Sequence, residues 1–452
     1  MASESRFKPR ARIVYVCNDK KSLAALTMPF REVGYALLPP EAAANADLGL
    51  IDLRGKTISG KKALAVANLL RRNSPECSLF FIVDEALEQI GQNALKRYGE
   101  VIFLTGSPAP IIERCRQMMR LRNIAEETGE RLKSLATLNR LAEFPSIAAP
   151  AAPPRILIAG APGAAALTAV NAVSRIAAQC VCVLTAGQAM RALDHGDFDG
   201  AIFIPKSGNN TLLSLTRVLR RHPKYCWMPI IHVADNADNA AAYVQKGAKD
   251  FILMNHIEGG LAAKTKLAVR RARLLKTMRH FLQACAGEGV RDASSGAFTA
   301  AFLAEHGARL CARADQTKRP LASIALRLVA QNQDGGAIEP DRQALHSAAR
   351  LINRVTRAED VVARIAPGTF LILTPATHEE DAAKAALRFV GILENTVFRN
   401  MRNQLLYAVT AHTAVCTRPQ GLCIEELVAL NLNKLRAVEK QSTKQPQRRS
   451  PQ

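Results

Sequence analysis

The sequence is short of everything that would carry it into a membrane or out of the cell. No apolar run reaches the roughly 18 residues a spanning helix needs, and the opening stretch MASESRFKPR has no apolar core of a secretion signal. Both absences lead to the expectation of a cytoplasmic protein with reduced thiols. Its 10 cysteines form no C-x-x-C pair and no metal-like spacing. The nearest two, Cys180 and Cys182, read as thiols of a strand core. Aromatic residues are only 5% of the chain, and the basic clusters lack the interleaved rings on which single-strand binders stack bases. No segment has the pattern of a helix-turn-helix, so nucleic acid is not the expected partner.

Acidic residues are scarce too. Thirty-nine Asp and Glu against 61 Lys and Arg leave a net charge of +22. Such an excess suits acidic or polyanionic partners, and arginine-rich solvated helix faces would account for it equally well. The clusters are Arg270-Arg271-Arg273, Arg217 with Arg220-Arg221-His222, and the tail from Lys444 to Arg449.

What is present is globular. With 452 residues, 48% hydrophobic and 22% charged, the chain exceeds one core and suggests three domains. Strand-like runs at Ala11–Val16, Ala46–Leu53, Ser78–Val83 and Val101–Thr105 alternate with helical stretches such as Lys61–Arg72 and Asp84–Tyr98. That alternation predicts a doubly wound parallel sheet over residues 10–125. A long amphipathic helical segment, Ala109–Phe144, carries Leu and Met at helical spacing, with Gly129 as the expected break. Residues 126–154 then form a helical extension ending in a Pro/Ala linker, Pro145–Pro154.

Residues 155–284 repeat the plan: RILIAG from Arg155, DGAIFIP at 199–205, PIIHVA at 229–234 and YVQKGAKDFILM at 243–254. A basic helix, Leu261–Ala284, leads to a third, α+β domain over 285–440, followed by a polar tail, 441–452, expected to be disordered. The third domain reads as strand Leu321–Val329, helix Ala344–Arg357, a hairpin (Val361–Ile365, an Ala-Pro-Gly turn, Phe370–Thr374) and helix Ala382–Leu393. Strands Leu405–Ala411 and Thr413–Thr417 and helix Ile424–Val438 complete it. Pro presets φ and Gly accepts the positive φ that follows, so the turn is well specified.

Arg357 and Asp360 precede the hairpin as R-x-x-D. A guanidinium fork matches the N7 and O6 acceptors of guanine or a phosphate, and a carboxylate accepts from guanine N1–H and N2–H₂. The spacing alone is weak, since Arg191 and Asp194 share it, and an ion pair at a helix end is the other reading.

Arg357 to Phe370 resembles the signature hairpin of the GGDEF family, the diguanylate cyclases: R-x-x-D, five residues, then G-G-(D/E)-E-F. Here the turn is Ala366-Pro367-Gly368-Thr369-Phe370. In that family the third turn residue and an Asp near the first strand's end hold the metals that join two GTP molecules. Gly368 and the apolar Leu328–Ala330 stand in those places, and Pro367 adds a ring and removes an N–H. Arg291–Gly296 resembles the family's D-x-L-T-G-L opening. The resemblance implies no cyclase activity, no catalytic metal, and cyclic di-GMP as a ligand of Arg357, Asp360 and Arg388, the last on the helix after the hairpin.

The first two domains resemble response-regulator receivers. Asp52 falls in the phosphoacceptor place, with Cys17 and Asn18 where an acidic pair belongs, Gly106 in the Lys place and Pro108 kept. A residual phosphoacceptor and a plain polar strand end both remain open for Asp52. In the second copy Gly160, Ile204 and Met254 replace the chemistry outright. The expected fold class is thus α/β, with two doubly wound parallel-sheet receiver-like domains before an α+β GGDEF domain. That order is the one of PleD-type cyclases, and with an inactive turn it resembles the PopA-type cell-cycle regulators. The resemblance implies a non-catalytic effector at a cell pole that recruits protein partners for regulated proteolysis, with a homodimer left open. A ligand-free scaffold and a basic, DNA-associated regulator are the alternatives.

Overall fold

The computed structural model describes residues 9–17, 20–41, 46–54, 60–74, 77–83, 99–103, 107–140, 152–206, 210–246, 248, 250–284, 289–331, 337–399 and 406–444. The expected helix Asp84–Tyr98, positions Asn18 and Gly106, and the greater part of the Pro/Ala linker lie outside them. The chain divides into two compact units. One is Ala11–Arg122 with Ile147–Thr277; the other is Met1–Arg10, Asn123–Ser146 and Met278–Gln452. Both expected receiver-like segments, 10–125 and 155–284, fall largely in the same unit.

The first unit opens with β1 (Ala11–Val16), α1 (Lys20–Glu32), β2 (Tyr35–Leu38), β3 (Leu48–Asp52), α2 (Gly60–Asn73), β4 (Ser78–Val83) and β5 (Glu100–Phe103). The strands are parallel in the order β2-β1-β3-β4-β5. Alternate side chains explain why. Ile13, Tyr15, Leu50 and Phe80 feed one core, while Val14, Val16, Ile51 and Phe81 feed another on the opposite face. A sheet apolar on both faces must be covered on both, which is the parallel arrangement. β2 is an addition to the sequence reading: four residues at the sheet edge, after Gly34 at φ 82°.

Helix α3 (Ala109–Thr137) passes through Gly129 unbroken. No atom lies within 4 Å of where a Cβ would stand there, so the glycine sits on an open face. A single exposed glycine costs about 1 kcal/mol of helix propensity, and the buried Ile124 and Leu135 on the same helix outweigh it.

The second copy comprises β6 (Arg155–Gly160), α4 (Ala164–Ser174), β7 (Gln179–Val183), α5 (Ala186–His195), β8 (Gly200–Ile204), α6 (Thr211–Arg221), β9 (Ile230–Ala234), α7 (Ala237–Gln245) and β10 (Asp250–Leu253). Its sheet runs β10-β9-β8-β6-β7, the same order as the first when counted along the chain. α8 (Ile257–Ala284) follows and begins earlier than expected. Cys180 and Cys182 lie on β7, the edge strand, where Cys182 is exposed and Cys180 half-buried. Cys180 packs against the core beneath the sheet, as expected, whereas Cys182 on the edge strand is not a core thiol.

The two copies meet through charges at equivalent positions. Glu100 opens β5 and Asp250 opens β10. Arg114 of α3 lies 2.9 Å from Glu100 Oε1 and 2.7 Å from Asp250 Oδ2. Lys264 and Arg271 of α8 complete the set, 2.8 Å from Asp250 Oδ1 and 2.8 Å from Glu100 Oε2 respectively. Burial alone would raise the Asp250 carboxyl, but Arg114 and Lys264 outweigh it and hold it at about 2.

The second unit contains α9 (Ala300–Thr317), β11 (Leu321–Gln331), β12 (Ala337–Ile338), α10 (Arg342–Val355), β13 (Val361–Ala366), β14 (Thr369–Pro375), α11 (Glu379–Glu394), β15 (Phe398–Arg399), β16 (Leu406–Tyr407), β17 (Val409–Thr417) and α12 (Ile424–Lys444). The antiparallel sheet runs β17-β11-β14-β13, with β12 on the end of β11. β11-α10-β13-β14-α11-β17 is a split βαβ arrangement. Ile324, Leu326, Phe370 and Ile372 face Leu345, Ile352, Phe389 and Leu393 of α10 and α11. Asp341 caps α10, accepting a hydrogen bond from Ala344 N at 2.8 Å.

Three boundaries differ from expectation here. α10 stops at Val355, so Arg357 lies beyond the helix. The strands expected at 405–411 and 413–417 divide elsewhere: Leu406–Tyr407 form the short β16 that pairs with β15, and β17 runs unbroken beside β11 from Val409 to Thr417. α12 continues to Lys444, so the first residues of the expected disordered tail are helical. Among the described residues no helix is long and apolar enough to cross a membrane.

Candidate functional site

The hairpin is tighter than its sequence suggests. Ala366 and Thr369 pair across it, leaving Pro367 and Gly368 as a two-residue turn. Gly368 sits at φ 60°, and an added Cβ would lie 2.9 Å from Leu328 O. The Gly368 carbonyl in turn accepts from Leu328 N at 2.9 Å, and the Thr369 hydroxyl donates to Pro367 O at 3.0 Å. Phe370 is buried in the core beneath. The turn is thus locked onto β11 at the place where Leu328–Ala330 pass.

β11 reads LASIALRLVAQ and brings no carboxylate to that meeting point. Among the described residues, Asp292 and Glu339 are both held by Arg364 of β13, whose guanidinium lies 3.2 Å from Asp292 Oδ1 and 3.1 Å from Glu339 Oε1. Asp292 also accepts from Ser295 N and Oγ, each at 2.8 Å. Burial raises its pKa, but these donors and Arg364 outweigh it and hold the carboxyl below its usual range. A cation is already in place where divalent metals would need free carboxylates. Among the described residues no cluster of His, Cys, Asp and Glu could hold a metal.

Arg357 and Asp360 come together in a turn, not on a helix. Asp360 Oδ2 accepts from Arg357 N at 2.8 Å, and Asp360 N donates to Arg357 O at 3.2 Å. The two side chains form no ion pair. The exposed Arg357 guanidinium instead donates to Thr377 Oγ1 at 3.3 Å, just before α11. Asp360 is half-buried; its Oδ1 has no hydrogen-bond partner, and neither does Oε2 of the buried neighbour Glu359. Burial, then the adjacent Glu359 carboxylate, push the Asp360 carboxyl up to about 7. Arg388 lies exposed on α11 and makes no hydrogen bond or ion pair to either. It stands nine residues into α11, about 13 Å along the axis from the Thr377 end. Within one chain, the structure gathers Arg357 and Asp360 and leaves Arg388 apart.

Asp52 is engaged on every side. It ends β3 and is buried. Tyr15 Oη donates to its Oδ2 at 2.5 Å, while Arg54 contributes Nη2 at 2.7 Å, Nε at 3.0 Å and its backbone N at 3.1 Å. Burial and the bond to Asp52 drive the Tyr15 phenol well above its usual range. In the second copy a Cβ on Gly160 would lie 2.7 Å from Ile204 O, so the backbones meet where a side chain would need room. Met254 sits in a short 3₁₀ turn after β10.

Sequence reasoning missed Glu359, Arg364, Tyr15 and Arg54. A-E-D inside the R-x-x-D stretch was visible, but nothing in it says that the middle acid is buried. Arg364 alternates inward with the strand, a signal present only once the turn register is known.

No known family's sequence profile matches the chain, and no curated protein does. Solved structures that resemble part of it include the GGDEF domain of DgcB from Caulobacter crescentus in complex with c-di-GMP, at 14% identity over 34% of this chain and 90% of that one, with a TM-score of 0.30. Diguanylate cyclase SiaD of Pseudomonas aeruginosa, in complex with its activator SiaC, matches at 19% identity, 41% and 72% coverage and a TM-score of 0.31. The GGDEF domain of FimX, also from Pseudomonas aeruginosa, does so at 17% identity, 34% and 95% coverage and a TM-score of 0.28.

Proposed function

We propose that the protein is a non-catalytic effector of cyclic di-GMP, which it binds at the turn of Arg357 and Asp360 and reports to protein partners. The observation that carries this reading is the contrast within one hairpin. At the turn tip the described residues bring no acid that Arg364 does not already hold, which leaves the two-metal chemistry of GTP cyclisation without free ligands among them. At the hairpin's other end an exposed guanidinium stands beside a carboxylate whose Oδ1 has no partner, the pair of groups that a guanine edge and a phosphate require. Arg388 joins the site from α11 of a second copy or after the ligand has bound.

The receiver-like half then acts by binding proteins. Asp52 is closed by Tyr15 and Arg54, Ile204 offers no oxygen, and the remaining helical faces are what these domains present. In this reading the output is adaptor work, with a role in regulated proteolysis at a cell pole as the sharpest form of it.

Calorimetry of the full-length chain with cyclic di-GMP tests the proposal. Saturable heat is expected, lost in Arg357→Ala, with GTP and cyclic AMP competing poorly. The chain should make no cyclic di-GMP from GTP with Mg²⁺ or Mn²⁺. Absence of heat with the wild type would leave a scaffold without a nucleotide.

A further inference from the structure

Charge is also gathered unevenly within the first unit. Between the two receiver-like copies is a cavity of about 130 Å³ lined by four arginines, Arg114, Arg120, Arg220 and Arg271, with Asp250 as its one acid. Apart from Gln117 its remaining wall is largely apolar, including Leu121, Ala272 and Trp227. Arg114 and Arg271 are committed to Glu100 and Asp250. Arg120 lies flat over the Trp227 indole at 3.8 Å.

Arg220 has no acidic partner. Its Nη1 donates only to the carbonyls of Met228 at 2.7 Å and Cys226 at 3.2 Å, and its Nε is buried without a partner. Burial, opposed by Glu113, Cys226 and Asp250, lowers its pKa to about 10. A guanidinium held away from water without a counter-charge is costly unless something supplies the charge.

Size and lining define what fits. A dry cavity of about 150 Å³ takes one benzene ring, so this one admits a single flat ring with an anionic group turned towards Arg220. We propose that the cavity is a binding site for a small planar anion, a ring carrying a carboxylate or a phosphate, held by Arg220 against the Trp227 side of the pocket. Aromatic carboxylates and phenyl phosphates share that chemistry. The site is independent of the cyclic di-GMP reading, since every lining residue belongs to the other unit.

The chain reports on this site by itself, because Trp227 is its only tryptophan. Fluorescence of the full-length protein is titrated with benzoate, phenyl phosphate, inorganic phosphate and neutral benzamide. A saturable change is expected with benzoate or phenyl phosphate, whichever of the two sources the site serves, and none with neutral benzamide. The affinity should fall at least tenfold in Arg220→Gln and recover partly in Arg220→Lys. Ala272→Leu, which narrows the cavity and leaves every charge in place, should also remove the response, and Arg357→Ala should not change it. A response to phosphate alone would mean an adventitious ion only. That result, or titrations unchanged in both Arg220→Gln and Ala272→Leu, or no response to any probe, would overturn the assignment.

Discussion

Asp250 and Asp360 are both aspartates withdrawn from water, and their surroundings push them in opposite directions. Asp250 is ringed by Arg114 and Lys264 and held at about 2. Asp360 faces Glu359, keeps an unsatisfied oxygen and rises to about 7. The first carboxylate is used up by the fold, joining one receiver-like copy to the other. The second is left over, and a left-over buried acceptor beside an exposed arginine is what a ligand can complete. Charge at the joint is structural, whereas charge at the hairpin is available.

The strongest way to break the comparison is to remove the structural acid. Asp250→Ala leaves Lys264 without its acid and Arg114 with Glu100 alone, and should cost about 3 kcal/mol in urea unfolding. Its folded pKa lies below the unfolded value, so the wild-type contribution is present above roughly pH 4 and is lost as the pH falls towards 2. An Asp250→Ala variant as stable as wild type at pH 7 would show that the pair holds nothing together.

Removing the available charges should leave the fold and take the ligand. Arg357→Ala should weaken cyclic di-GMP binding by roughly ten- to hundredfold, about 1–3 kcal/mol, with a thermal midpoint close to wild type. A drop in stability matching the drop in affinity would make Arg357 structural instead.

Asp360→Asn separates the two roles by pH. A folded pKa raised above the unfolded one means that the native state binds the extra proton, so stability falls as the pH rises from about 4 through 7. Asn removes that loss and should gain about 1 kcal/mol at pH 8, where the wild type is ionised. It should still weaken ligand binding, because an amide is a poorer acceptor for guanine N–H groups. If it is destabilising at pH 8, the carboxylate has a cation partner after all.

The smallest effects belong to the remaining arginines. Arg388→Ala should reduce affinity by about threefold, in line with an exposed charge making one contact among several. Arg191→Ala, in the helical R-x-x-D of α5, should change nothing measurable by calorimetry. Equal losses in Arg191→Ala and Arg357→Ala would mean that the pattern and not its position governs binding.

Much of the fold was legible because its signals are periodic. β1, β4 and β6 fall where their apolar runs end, and the repeat of the doubly wound plan was readable from RILIAG onwards. What escaped depended on contacts between distant residues. β2 is four residues at an edge, too short to announce itself. Gly129 resembles a break in isolation, and only the packing of the rest of α3 overrides it. At the site, Arg357 and Asp360 were legible from spacing and the turn from Pro-Gly chemistry. Arg364 between Asp292 and Glu339, and Tyr15 and Arg54 on Asp52, are pairings across strands and loops that no local pattern encodes.

The close approach at Gly160 limits what substitution can do at the end of β6. A Cβ there would lie 2.7 Å from Ile204 O, a backbone atom, so the conflict persists whatever side chain position 204 carries. Replacing Ile204 by an acid would therefore not open space for a carboxylate at 160. β6 and β8 would have to separate first, so no single side-chain exchange can set two carboxylates facing each other at this strand end.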